Sequence, residues 1–368
     1  MKLISQILIL NLFVFFLFES DNKINPVISK IKVNDLNVSS KRNYFSILVE
    51  NKRDSNKNEE SFNKNKTLVL WNKTPTKKRI IQYIKAITDT NSLYFIPESD
   101  RIATLDNDGT IWAEQPTYYQ IEYVIFKLKK LESQHPEWKN NKLIQSALNH
   151  DLKKLREKHG IKGLAKLLEI TQSGMSIEEF EKDVLNWVLN SYHPIHNKRY
   201  TELVYQPMQE LIKLLKKNNF KVYIVSGGGT GFIRTFSKEL FNIDKEFVIG
   251  SYQKLEYIEN NNKIELIKNP DILCVSEDKG KVTSIQQIIG KKPVIAIGNS
   301  DRDIPMLKWS HSSKYKSLQI LIHHTDKERE WKYDKGANNG RLNQGLSIAT
   351  QQQWLVVDIK NDWNIIFN

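Results

Sequence analysis

Ile102-Ala-Thr-Leu-Asp-Asn-Asp-Gly-Thr-Ile-Trp112 is the stretch from which the architecture of this chain is read. Four apolar or β-branched residues precede Asp106, as in a short buried strand, and Gly109 then breaks the pattern. Side chains two apart on extended backbone project to the same side, so the Asp106 and Asp108 carboxylates are expected to meet where the strand ends. Two carboxylates that close repel each other. Either one is protonated or a cation lies between them. Such a pair suits a metal-assisted reaction in which one carboxylate attacks and the other handles a proton. Taken alone, Asp-Asn-Asp-Gly reads as readily as a polar turn, because Asp, Asn and Gly all favour turns. Three further segments decide between the two.

Phe220-Lys-Val-Tyr-Ile-Val-Ser-Gly-Gly-Gly-Thr230 is a second apolar strand, ending on a hydroxyl and three glycines and followed by a helical stretch from about Gly231 to Leu240. Glycines let backbone N–H groups approach an oxyanion closely, and Ser226 adds a donor for a phosphate oxygen. Pro293-Val-Ile-Ala-Ile-Gly-Asn-Ser-Asp-Arg-Asp-Ile-Pro-Met-Leu307 is a third strand, ending on the carboxylate and amide oxygens that Mg²⁺ prefers. Between them, Asp278 to Ile289 reads as a helix with Lys279 and Lys281 in its first turn, one crossover before that acidic strand end.

In this order the segments resemble the haloacid dehalogenase superfamily, specifically its phosphoserine-phosphatase-like bacterial phosphatases. Asp106, Asp108, Gly109 and Thr110 match its Asp-x-Asp-Gly-Thr motif, and Ser226 its strand-ending Ser or Thr. Its lysine is best matched by Lys281, with Lys279 in reserve. Gly298, Asn299 and Asp303 match Gly-Asp-x-x-x-Asp. The tail fits the same subgroup, in His323-His-Thr-Asp-Lys-Glu-Arg-Glu-Trp331 and Trp354-Leu-Val-Val-Asp-Ile-Lys360, so the resemblance covers roughly residues 76 to 368.

The resemblance implies an α/β fold, a Rossmannoid parallel sheet with helices on both faces and an inserted α-helical cap. It implies a Mg²⁺-dependent phosphatase acting on a small phosphorylated metabolite. Asp106 becomes an aspartyl-phosphate, Asp108 is the acid and base, and Ser226, Gly227, Gly228 and Lys281 hold the phosphoryl oxygens. The metal falls to Asp106, Asp108, Asn299 and Asp303. Asn299 stands where the superfamily usually carries an aspartate, so the site has one charge fewer unless Asp301 or Asp303 compensates. Glu114 is a candidate for holding a substrate amine, and His323 and His324, after the apolar run Leu318–Ile322, for contacting substrate. A phosphotransferase or mutase using the same intermediate, or a silent protein that captures a phosphorylated ligand, are the alternatives.

Spacing organises the rest. Asp106 and Ser226 lie 120 residues apart, far more than one crossover helix needs. The excess reads as helices near 118–133, 140–159, 163–170 and 176–189, a cap at about 116–205 set over the carboxyl ends of the strands. Residues 1–18 combine a basic start with an apolar run from Leu3 to Phe18, as in a signal peptide or membrane anchor, which places the protein outside the cytoplasm. Residues 19–75, rich in Asn and Lys, read as a flexible linker ahead of a catalytic domain at 76–368. Net charge is +13, but the first 78 residues contribute +7 of it (fourteen Lys and Arg against seven Asp and Glu). No basic helix interleaved with aromatics accompanies that excess, so no nucleic-acid partner is expected. The single cysteine, Cys274, excludes an intrachain disulfide. Nothing in the composition sets an oligomeric state.

Overall fold

The computed structural model describes residues 67–368 except Asn261; the leader at 1–18 and the linker as far as residue 66 lie outside the described residues. Seven strands form one sheet: β1 (Ile102–Leu105), β2 (Lys221–Gly229), β3 (Val248–Asn260), β4 (Lys263–Cys274), β5 (Ile295–Gly298), β6 (Leu318–His323) and β7 (Leu355–Asp358). Their order is β4-β3-β2-β1-β5-β6-β7, parallel throughout except for β4, which runs antiparallel to β3. β1 and β5 are buried along their whole length, which is why both read as unbroken apolar runs.

From β1 the chain first builds outward through β2 and β3, then returns to add β5, β6 and β7 on the other side. That reversal makes the carboxyl end of β1 a topological switch point, where open α/β sheets bind ligands. Register sharpens the placement. Leu105 pairs with Ile224 on one side and Ile297 on the other. Asp106, the end of β2 and the Gly298–Asn299 turn therefore leave the sheet side by side.

Between β1 and β2 lie α1 (Tyr119–Leu131), α2 (Lys142–Leu148), α3 (Gly160–Gln172) and α4 (Ile177–Asn190); α5 (Gln206–Lys217) then returns to the sheet. The single helix expected over 140–159 is interrupted: α2 ends at Leu148, and His150 takes a left-handed φ of 52°. Val124, Ile125, Leu128, Trp138, Ile144, Ala147 and Leu167 make a hydrophobic cluster separate from that beneath the sheet. A capping box at Ser176 and Glu179 starts α4. Just before it, Gly174 N–H donates to the Lys268 carbonyl and Lys268 N–H to the Met175 carbonyl, both at 2.9 Å, tying this helical segment to β4.

The long hairpin of β3 and β4 was not anticipated from sequence, since its outer half carries exposed residues without a clean alternation. The helix expected from Gly231 to Leu240 is two short ones, Thr230–Arg234 and Ser237–Phe241. Residues 67–74, expected to belong to the linker, are folded. Leu68 and Trp71 are buried, Trp71 stacks edge-on against Trp363 at 6.0 Å, and its indole N–H donates to the Pro207 carbonyl. Apolar Leu68, Leu70 and Trp71 give residues 67–74 enough surface to bury, unlike the polar tract before them. No helix among the described residues is long and apolar enough to cross a membrane.

Candidate active site

Three carboxylates and one lysine converge at the switch point. Lys281, in the first turn of α6 (Lys279–Ile288), is buried and places Nζ 2.5 Å from Asp106 Oδ1 and 2.5 Å from Asp303 Oδ1. Burial alone would depress the lysine, but the two carboxylates beside it hold it well above its ordinary value. Asp106 is pushed up to about 8 by burial and by the Asp303 and Asp108 charges, with Lys281 pulling the other way. Asp108 is likewise raised, chiefly by burial, although the Trp112 indole N–H donates to its Oδ1 at 2.8 Å. One cation thus stands among three acids. Lys279, two residues along the helix, is exposed, so Lys281 is the lysine of the site.

Asp303 clamps the turn after β5. Its Oδ2 accepts from the backbone N–H groups of Asn299 (3.1 Å) and Ser300 (3.0 Å) and from Ser300 Oγ (3.0 Å). With Oδ1 on Lys281, both oxygens are engaged in orienting neighbours. Asp301 is not part of the cluster. Its carboxylate accepts from the N–H groups of Asn343, Gln344 and Gly345 at the start of α7 (Gly345–Gln351), because the turn points it away from Asp106.

Asn299 is buried, and its amide is held at both ends. Thr110 Oγ1 donates to its Oδ1 at 3.2 Å, while its Nδ2 donates to Glu114 Oε1 at 2.6 Å. Tyr333 Oη also donates to Glu114 Oε1, at 2.7 Å. Glu114 sits against Gly109 (φ 72°) and Gly340 (φ 60°), where any Cβ would overlap its carboxyl. Burial pushes this carboxyl well above the usual range despite the Tyr333 and Asn299 hydrogen bonds. With its Oε1 accepting from Asn299 and Tyr333, Glu114 orients the Asn299 amide while still lining the cavity where a substrate would lie. His324 sits behind the same loop. Its Nε2 lies 2.8 Å from the Gly109 carbonyl and its Nδ1 3.1 Å from Glu330, whose other oxygen accepts from Tyr205 Oη at 2.8 Å. His324 thus supports the Asp108–Gly109 backbone, while His323 pairs loosely with Asp334 at 3.4 Å.

Ser226 ends β2 in a buried position, and its Oγ accepts from Gly228 N–H at 3.0 Å. Gly229 N–H donates to Gln120 Oε1 of α1 at 2.7 Å, a contact across the cleft that sequence reasoning missed. Ser226, Gly227, Gly228, Asp106, Asp108, Lys281, Asn299 and Glu114 all line one cavity of about 1250 Å³, whereas Asp303 lies just behind its wall. Trp112 was legible beside its motif, but Tyr333 and Glu330 carried no sequence signal beyond their place in the tail.

Among the described residues no cluster of three or more His, Cys, Asp or Glu side chains forms a metal cage. A hard divalent cation still fits here, because the Asp106 carboxylate, the Asp108 backbone carbonyl and Asn299 Oδ1 are all oxygen donors, and only one is a charged side chain. The site is thereby poorer in charge than three carboxylates would make it.

A sequence search of curated proteins finds no match. Similar solved structures include a protein of unknown function from Bordetella pertussis Tohama I, at 14% identity and TM-score 0.46, covering 70% of this chain and 98% of that one. Another is a phosphoserine phosphohydrolase-like protein from Francisella tularensis subsp. tularensis SCHU S4, at 18% identity and TM-score 0.35, covering 60% of this chain and 87% of that one. A third is a probable phosphoserine phosphatase from Vibrio cholerae, at 18% identity and TM-score 0.38, covering 74% and 69%. The family model for haloacid dehalogenase-like hydrolases matches residues 103–308, more than half of the chain and the whole span from β1 through the Asp106, Ser226, Lys281 and Asn299 positions, so the chain belongs to that family of hydrolases.

Proposed function

We propose that this hydrolase is a Mg²⁺-dependent phosphatase that cleaves a phosphate monoester of a small organic molecule through an aspartyl-phosphate on Asp106. The observation that carries the reading is the buried arrangement of Lys281 between Asp106 and Asp303, with Asp108 beside them, at the carboxyl ends of β1, β2 and β5. An Asp106 oxygen attacks phosphorus while the bond to the leaving oxygen breaks. Asp108, whose carboxyl burial favours in its protonated form, gives a proton to that leaving oxygen; the Trp112 indole keeps its carboxyl in place. Asp108 then takes a proton from water, the water attacks phosphorus, and Asp106 is restored with release of phosphate.

Lys281 and the Ser226–Gly228 turn offer donors to the phosphoryl oxygens throughout. The oxygens of Asp106, the Asp108 backbone and Asn299 would hold Mg²⁺, whose chemistry is to offset the charge of nucleophile and phosphoryl group as they approach. Residues 116–205 serve as a cap that closes over the ester and excludes bulk water. The leader at 1–18 would place this activity outside the cytoplasm.

The test is phosphate release from an aryl phosphate. Chelator should abolish turnover and Mg²⁺ restore it, and Asp106→Asn should lower kcat by roughly 10³-fold or more with the fold intact by circular dichroism. Chelator-resistant turnover, or an Asp106→Asn enzyme that keeps substantial activity, overturns the mechanism.

A further inference from the structure

The cavity of about 1250 Å³ that begins at the carboxylates extends between α1, α3, α4 and the β3–β4 hairpin. Pockets for small molecules commonly enclose roughly 300–1,000 Å³, so a phosphoryl group with a leaving group of a few atoms leaves most of this space unfilled. Its chemistry changes along its length. The walls are polar beside Asp106, but away from it they are made by Ile121, Leu164, Leu168, Phe180, Leu255 and Ile272.

Glu181, Arg234, Lys245 and Glu246 also line the cavity, Glu181 being paired with Lys245 at 2.6 Å, but Lys268 has no such partner among the described residues. Lys268 of β4 lines the cavity with its ammonium 4.3 Å from the centroid of the Phe180 ring. No carboxylate pairs with it among the described residues. Three of the four acids of the helix facing it are engaged elsewhere: Glu181 by Lys245 at 2.6 Å, Asp183 by Lys127 at 2.7 Å, and Glu179 by the backbone N–H of Ser176 at 2.9 Å. Burial, with no opposing charge, brings Lys268 down to about 8. A partly buried ammonium without a counter-anion is costly to the free protein, and an anion supplied by a ligand relieves that cost. The backbone of Lys268 is fixed at both N–H and C=O by Gly174 and Met175, so the side chain springs from a rigid point.

We propose that the leaving group of the ester carries an extended apolar body, which fills the space between the helices and the hairpin, and a second anionic group that pairs with Lys268. The substrate class is then an amphiphilic organic phosphate with a carboxylate or second phosphate at its far end. The assignment of this molecule as substrate rests on the phosphatase reading; its binding does not.

Non-hydrolysable phosphonates separate the two. Calorimetric titration of the full chain, in Mg²⁺, would compare alkyl phosphonates of two to ten carbons with their ω-carboxy and α,ω-bisphosphonate counterparts. Affinity should rise about fourfold per added methylene until the cavity is filled, and a terminal anion at the right length should add about tenfold. Lys268→Met should remove that last gain and leave the plain alkyl series unchanged, while Leu168→Trp should shorten the longest chain accepted; melting curves check that both variants fold, and Lys268→Gln replaces the first if it does not. Affinity indifferent to chain length, or a terminal-anion gain that survives Lys268→Met, overturns the proposal. If phosphonates follow the trend but the matching phosphate esters release no phosphate, the binding inference stands and the phosphatase reading falls.

Discussion

Asn299 shows how much one side chain depends on its neighbours. Its Oδ1 faces the site because Nδ2 is held by Glu114, which Tyr333 and two glycines hold in turn. Since a Gln amide oxygen can accept the same hydrogen bonds from Asn299 and Tyr333, Glu114→Gln should change neither the melting temperature nor Mg²⁺ affinity by much, whereas Glu114→Ala leaves the Asn299 amide unpaired at a cost of about 1–3 kcal/mol. Calorimetric Mg²⁺ titration of both variants checks this. A Glu114→Gln protein that loses Mg²⁺ as badly as Glu114→Ala would show that the carboxyl is needed charged. Asn299→Asp should tighten Mg²⁺, and more so when combined with Glu114→Gln, because the Gln amide donates a hydrogen bond to the new carboxylate. Lys268 gives a pH signature. Its folded value of about 8 lies below its ordinary value of 10.5, so the unfolded chain binds more protons between those limits. That destabilising contribution is complete below pH 8 and fades as pH rises toward 10.5. The advantage in melting temperature of Lys268→Met over the native protein should therefore shrink across that range, and an advantage that grows would reverse the assigned sign.

At the scale of elements, the Asn299–Asp303 turn carries two aspartates with opposite destinations. Asp303 points inward to Lys281 and its own turn, while Asp301 receives three N–H groups at the start of α7. Asp301→Ala should cost about 0.5–2 kcal/mol of stability, as loss of a helix cap does, without weakening Mg²⁺. Chemical denaturation and metal titration together separate this from a ligand role, which would lower metal affinity and spare stability. The helix α6 makes a comparable choice. Successive residues turn by about 100°, so Lys279 and Lys281 differ by about 200° around the axis, and only Lys281 reaches the carboxylates. The first turn of that helix was legible in the sequence, but which of its faces meets the sheet was not.

For the whole molecule, the boundary of the folded unit is the sharpest prediction. Trp71 pairs with Trp363 near the far end of the chain, and the Leu70 carbonyl accepts from Asn364 N–H at 2.9 Å, so residues 67–74 pack against the segment that follows β7. A chain beginning at Thr67 should match the full chain in melting temperature and turnover. One beginning at Thr74 loses Leu68 and Trp71 and should be destabilised by about 3–5 kcal/mol for the tryptophan alone; equal melting temperatures for the two would show that the Trp71 contact contributes nothing. The sequence by itself determined the parallel α/β sheet, the order of its motifs and the family. Each motif is local, an apolar run that stops on a few reactive residues, and burial on both faces of a strand leaves that run unbroken. Only tertiary structure decided that Glu114 serves Asn299, that Asp301 caps a helix, that residues 67–74 belong to the core, and that a cavity with Lys268 in its wall lies under the helices. Those outcomes depend on sheet register and on packing between residues more than a hundred positions apart, and periodicity reports only which face of an element is apolar, not what that face meets.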